Sequence, residues 1–188
     1  VFKQKANEEG SKTYELGKDF TAEGSSHSFD FIYKEQRLEG IALAMAGQHQ
    51  VANASLAIMA SLLLQKDYPK VTPELIKDAL AHASWLGRTE FLMPNLMIDG
   101  AHNNESVKVL IDLLRSEYAD KDIELLFAAI DTKPIDSMLA QLESVGDLTV
   151  TSFEYPNSVK LDKYPVTYKQ VSDFQTWIEE HVTANDDK

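Results

Sequence analysis

Cysteine is absent from the 188 residues. That excludes disulfides, thiolate catalysis and cysteine-based zinc sites, and it fits a reducing, cytoplasmic compartment. Positive charge is scarce. The 18 Lys and Arg residues face 30 Asp and Glu, for a net charge of −12. This balance argues against the broad basic face of a nucleic-acid binder and against electrostatic docking on an anionic membrane. Long apolar runs are missing too, since Leu62–Leu64 with its neighbours is far too short to span a bilayer. No G-x-x-x-x-G-K-[ST] segment occurs. Gly10-Ser11-Lys12-Thr13 is similar only superficially, because it lacks the upstream glycine and a preceding apolar strand; it reads as a turn. No G-x-G-x-x-G occurs either, so nicotinamide-cofactor binding has no support. His27, His82 and His181 are isolated, and His49 has no second ligand at metal spacing, so no metal site is expected.

What is present is an ordinary globular composition, 44% apolar and 26% charged. The length fits one large domain or two small ones. Residues 1–46 read as strands: Lys12–Leu16 begins the pattern, Ser28–Tyr33 alternates, and Arg37–Met45 continues it. Gly24-Ser25-Ser26 and Glu39-Gly40 supply the turns. The period then changes. Val51, Leu56, Ile58, Met59, Leu62 and Leu63, set among alanines, predict a mostly buried helix over 48–65 that begins at Gly47. Thr72-Pro73-Glu74 starts a second helix, with Thr as N-cap and Pro at the first position. Its packing face is Leu75, Ile76, Ala79 and Leu80.

After a connector around Trp85, Gly87 and Pro94, strands and helices alternate. Strands are expected at Asn95–Asp99, Ile123–Ile130, Leu148–Phe153 and Tyr164–Tyr168. Helices are expected at Ser106–Tyr118, Pro134–Ser144 and Val171–Val182. Such alternation implies βαβ units and a parallel sheet. The fold class is therefore α/β: a mostly parallel-sheet, Rossmann-like half preceded by a smaller α+β part of strands and a helical pair.

Three segments carry chemistry. In Asp99-Gly100-Ala101-His102-Asn103-Asn104, the carboxylate ends a strand and could accept two hydroxyl donors, as a ribose offers. Gly100 and Ala101 let the backbone approach a ligand, and His102 precedes a helix N-terminus. The same spacing also allows Asp99 to cap the turn and His102 to be a plain loop residue. In Gly87-Arg88-Thr89-Glu90, the arginine fork suits a phosphate; a structural Arg88–Glu90 or Arg88–Asp pair is the competing reading. In Gly47-Gln48-His49-Gln50-Val51-Ala52-Asn53-Ala54, the Asn53 amide suits an adenine edge, or is satisfied by backbone.

Taken together and in this order, Gly47-x-His49-Gln50-x-x-Asn53-Ala54, Gly87-Arg88-x-Glu90 and Asp99-Gly100-Ala101-His102-Asn103 resemble the folylpolyglutamate synthase/dihydrofolate synthase family of Mur ligase-type, ATP-dependent amide-forming enzymes. The resemblance implies residues 1–82 as the tail of the central ATP-binding domain, 83–94 as a linker and 95–188 as the C-terminal α/β domain, truncated at its end. Val1 in place of an initiator Met, and the acidic run Thr183–Lys188, suggest a piece of a longer chain. Residue by residue, the resemblance implies that Asn53 contacts the adenine side of ATP. Arg88 would reach the phosphates, Asp99 the ribose, and His102 the nucleotide or the incoming glutamate. Arg88 and His102 are the catalytic candidates. Mg2+ would be held by ligands outside these residues.

The implied reaction phosphorylates a folate or dihydropteroate carboxyl with ATP, and L-glutamate then attacks the acyl phosphate. Without a phosphate loop, the chain is not expected to turn over alone. Two departures, Asp131-Thr132-Lys133 where the family often has Asp-Lys-Asp and Pro156-Asn157 where it often has Pro-Arg, leave the glutamate pocket unassigned. A Mur-type ligase adding an amino acid to a cell-wall precursor, and a non-enzymatic α/β binding module, are the alternatives.

Overall fold

The computed structural model describes residues 2–183; Val1 and the acidic run 184–188 lie outside the described residues. The chain divides into two compact units, Val1–Leu86 and Gly87–Lys188.

The first unit opens with a helix, α1 (Phe2–Glu8), where strands were expected. Lys, Gln, Ala and Glu favour helix, and side chains four apart lock it. Lys5 Nζ lies 2.7 Å from Glu9 Oε1, and Gln4 Nε2 donates to Glu8 Oε1 at 3.1 Å. Next come β1 (Thr21–Ser25), β2 (Ser28–Tyr33) and β3 (Gln36–Ile41), an antiparallel meander in that order. The alternation in β2 buries Phe29 and Phe31 completely. The second turn falls at Lys34-Glu35, not at Glu39-Gly40, which lies inside β3. There the register with β2 shifts between Phe29 and Phe31. The Asp30 carboxylate takes up the Gly40 N–H at 2.9 Å and pairs with Arg37 at 2.8 Å.

The helical pair follows as α2 (Gln48–Leu64) and α3 (Pro73–His82). Gly47 N–H donates to the buried Ser26 hydroxyl at 3.1 Å, tying the start of α2 to the first hairpin. Thr72 caps α3 through the Leu75 N–H. Val51, Ala54, Ile58 and Met59 face Phe20, Phe29, Phe31, Leu38, Ile41 and Ile76 in one core. α2 is buried along one face only: Leu56, Leu63 and Leu64 are exposed. Leu75, expected on the packing face of α3, is also exposed.

The second unit holds a three-stranded parallel sheet: β6 (Glu124–Phe127), β7 (Asp147–Val150) and β8 (Lys169–Gln170), in that order. Helix α4 (Asn104–Glu117) precedes the sheet, α5 (Ile135–Leu142) joins β6 to β7, and α6 (Phe174–Thr183) follows β8. Val107, Ile111, Met138, Leu139, Leu142, Leu148 and Val150 form the core. Two expectations are corrected here. The fourth strand is Lys169–Gln170 and not Tyr164–Tyr168, because Pro165 cannot donate to a ladder. Tyr164 instead lies in the core, where its hydroxyl accepts the Ala129 N–H at 3.2 Å; burial pushes its phenol up, and that hydrogen bond works in the opposite direction. The strand expected at Asn95–Asp99 is β5 (Leu96–Ile98), only partly buried. It pairs antiparallel with β4 (Glu90–Met93), inside the stretch read as a connector. Pro94-Asn95 is the hairpin turn between them.

Candidate functional site

The β4–β5 hairpin assembles two of the three segments. Its register pairs Glu90 with Ile98. The residues before Glu90 therefore run alongside the residues after Ile98, and Gly87–Glu90 meets Asp99–His102. Gly100 N–H donates to Gly87 O at 2.7 Å. Thr89 N–H donates to Asp99 Oδ2 at 2.9 Å, and Ala101 N–H donates to Asp99 Oδ1 at 2.8 Å. Gly87 N–H donates to Glu90 Oε2 at 2.7 Å.

These bonds hold an unusual backbone. Gly87 has φ of 70°, open to glycine, but Thr89 has φ of 44°, a left-handed value that a β-branched residue adopts at a cost. The Thr89 hydroxyl oxygen is also buried without a partner among the described residues. Between these two left-handed positions stands Arg88. It is exposed, and among the described residues it has no hydrogen bond or ion pair. The pairing of Arg88 with Glu90 or a nearby Asp does not form. Glu90 and Asp99 accept from backbone N–H groups instead.

Asp99 is half-buried, and each of its oxygens accepts one N–H. A carboxylate oxygen has room for a second donor, so both remain able to accept hydroxyls. Asp99 leaves β5, which lies in the hairpin and not in the β6–β8 sheet. The rule that ligands sit beyond the carboxyl ends of parallel strands therefore does not position it.

His102 is exposed. Its Nδ1 lies 2.9 Å from Gly100 O. A carbonyl only accepts, so Nδ1 is the donor in this contact and Nε2 is the ring nitrogen left for a ligand. His102 N–H donates to Ser106 Oγ at 3.0 Å. The same hydroxyl accepts the Asn103 N–H, while Asn103 Oδ1 accepts the Ser106 N–H, a reciprocal cap that fixes the start of α4.

Asn53 belongs to the other unit. It is exposed in the second turn of α2, where Nδ2 donates to Gln50 Oε1 at 3.2 Å. Its Oδ1 keeps acceptor capacity. Arg88, Asp99 and His102 thus share one loop cluster within the second unit, and Asn53 is described with the first. Thr89 and Ser106 carry structural weight that sequence reasoning missed, and the sequence offers Glu90 as a motif residue and ion-pair partner, not as a backbone acceptor. The signal for the hairpin was Pro94-Asn95 between two short apolar stretches. Among the described residues, no group of three or more His, Cys, Asp or Glu residues could hold a metal ion. No helix among them is long and apolar enough to cross a membrane.

The chain is 31% identical to the dihydrofolate synthase/folylpolyglutamate synthase of Bacillus subtilis over 138 residues, which is 71% of this chain and 32% of that protein. The chain belongs to the folylpolyglutamate synthase/Mur ligase family. The Mur side of this family is represented by the UDP-N-acetylmuramate–L-alanine ligase of a Hydrogenobaculum species, 31% identical over 102 residues, 53% of this chain and 22% of that one. Within the same family, the solved structure of Mycobacterium tuberculosis folylpolyglutamate synthase complexed with ADP shares the fold. Its TM-score is 0.83 at 19% identity, covering 98% of this chain and 44% of that one. No family model matches the chain. The chain spans from about a fifth to a third of the length of the curated relatives quoted.

Proposed function

We propose that these residues are the part of an ATP-dependent folate ligase that runs from the tail of its central domain, residues 1–82, through a short connector that ends before the β4–β5 hairpin, to its C-terminal α/β domain. The observation that carries the reading is Arg88. It is an exposed arginine with no hydrogen bond or ion pair among the described residues, while the neighbouring Glu90 and Asp99 carboxylates accept from backbone N–H groups. Such a guanidinium is free for an anion. The relatives' printed activities and the ADP in the Mycobacterium tuberculosis structure support ATP as that anion.

In this reading Arg88 grips the phosphates of ATP. Asp99 accepts the ribose hydroxyls on its remaining lone pairs, and Asn53 Oδ1 accepts from the adenine amine. His102 Nε2 serves the nucleotide or the attacking glutamate. The γ-phosphoryl group passes to the carboxyl oxygen of folate or dihydropteroate, giving ADP and an acyl phosphate. The amine of L-glutamate then attacks the acyl carbon, the C–O bond to phosphate breaks, the amine loses a proton, and an amide and inorganic phosphate are left. Arg88 stabilises the charge that builds on the transferring group. Mg2+ would neutralise phosphate charge in the intact enzyme. Among the described residues no ligand cluster is offered to it, and no step is assigned to it. Lacking a phosphate loop, the 188 residues alone are expected to bind nucleotide weakly and not to turn over. A cytoplasmic setting goes with the substrates.

The similarity to UDP-N-acetylmuramate–L-alanine ligases favours a second reading, a cell-wall amino-acid ligase. Assaying the intact enzyme separates the two. Glutamate-dependent ADP release with dihydropteroate or a folate supports the first. Release only with UDP-N-acetylmuramate and an amino acid overturns it.

A further inference from the structure

We propose that Glu90 is a positioning residue that acts through Arg88, holding the loop that presents the guanidinium without itself touching substrate. The inference rests on the ATP-binding role proposed for Arg88. Glu90 lies two residues from an arginine in an acidic protein, where an ion pair is the default expectation. The structure puts its carboxylate elsewhere, as acceptor for the Gly87 N–H at 2.7 Å. This bond spans Arg88: its two ends are the residue before the arginine and the second residue after it. Gly100 N–H to Gly87 O, and Thr89 N–H to Asp99 Oδ2, close the loop from the other side.

The loop needs such ties. The left-handed Thr89, at φ of 44°, and its buried hydroxyl, unpartnered among the described residues, both favour relaxation to another conformation. A relaxed loop would release Gly87 and swing Arg88 away from its presented position. It would also let the Glu90 carboxylate move toward Arg88, pair with it and compete with phosphate. The acceptor oxygen of Glu90, more than its charge, is therefore the feature that matters.

The test is a set of variants of the intact ligase, read by KM for ATP, kcat and melting temperature. Glu90→Ala removes the acceptor and should raise KM for ATP on the order of 10-fold. Glu90→Gln keeps an acceptor oxygen for Gly87 N–H and should restore most of that loss. In an Arg88→Ala background, Glu90→Ala should add less than about twofold, because there is no guanidinium left to position. Should Glu90→Ala fail to fold, Glu90→Asp takes its place: it keeps the charge, draws the acceptor back by one methylene, and should raise KM by the same route.

Independent, multiplying effects of the Arg88 and Glu90 substitutions would overturn the inference while leaving the ATP reading intact. So would Glu90→Gln as impaired as Glu90→Ala, or a normal KM in Glu90→Ala beside an impaired Arg88→Ala. An Arg88→Ala enzyme with unchanged ATP kinetics would overturn the ATP reading itself, and this inference with it.

Discussion

Asp99 holds Thr89 in its left-handed conformation: the Thr89 N–H reaches Asp99 Oδ2 at 2.9 Å, while Oδ1 of the same carboxylate takes the Ala101 N–H. Two backbone donors therefore require two acceptor oxygens on one side chain. Asp99→Asn offers one oxygen and one NH2 group, and the NH2 would face an N–H. The variant should lose one of the two bonds, at a cost of about 1–2 kcal/mol. Amide hydrogen exchange checks this: either Thr89 or Ala101 should lose protection while α4 keeps its own. Unchanged protection at both would contradict the assignment.

Gly146 sits just before β7, where an added Cβ would clash with the Ile123 carbonyl oxygen. Only a residue without a side chain lets these backbones approach. Gly146→Ala should push β7 from β6 and destabilise the second unit by about 1–3 kcal/mol, read from denaturant midpoints. A wild-type midpoint would show that the strands can part at no cost.

Leu139 and Leu75 make a matched pair. Leu139 on α5 is 0% exposed, and Leu75 on α3 is 51% exposed. Leu139→Ala should cost about 2–5 kcal/mol through lost burial and a residual cavity. Leu75→Ala should fall within about 0.5 kcal/mol of wild type. Equal losses in equilibrium unfolding would mean that Leu75 packs after all.

Acid should weaken the first unit through Asp30. The Gly40 N–H, and after it the Arg37 guanidinium, hold the Asp30 carboxyl below its ordinary value. A depressed carboxyl contributes stability above its unfolded value and loses it as pH falls through its folded one. The stability gap between wild type and Asp30→Asn should therefore be present near about pH 7 and shrink below about pH 4. A gap that stays constant with pH would contradict this.

The legible parts of the fold were those set by strong local chemistry. Thr72-Pro73 marked the start of α3 because an N-cap hydroxyl followed by proline has few other uses. The Phe29–Phe31 alternation marked β2 because both rings needed one buried face. α1 was missed because its stability comes from pairs such as Lys5–Glu9 rather than from an apolar stripe. The partner of β5 was missed because three residues can pair parallel or antiparallel with equal apolarity, and Pro94-Asn95 alone decided it.

In the candidate site, sequence picked out Arg88, Asp99 and His102 but not how they are held. The strained φ of Thr89, and the diversion of Glu90 and Asp99 onto backbone donors, depend on hairpin register. Register is a long-range property that residue type does not encode locally. Asn53 was expected to suit an adenine edge, yet whether it would be exposed or satisfied by backbone followed only from which face of α2 packed inward.

Arg88→Ala in the intact ligase tests the central claim most directly. On the proposed reading, ATP-dependent ligation should fall on the order of 100-fold in kcat/KM for ATP, with the melting temperature unchanged, because the exposed Arg88 has no hydrogen bond or ion pair among the described residues. Ligation within about twofold of wild type would show that the arginine does not serve the nucleotide.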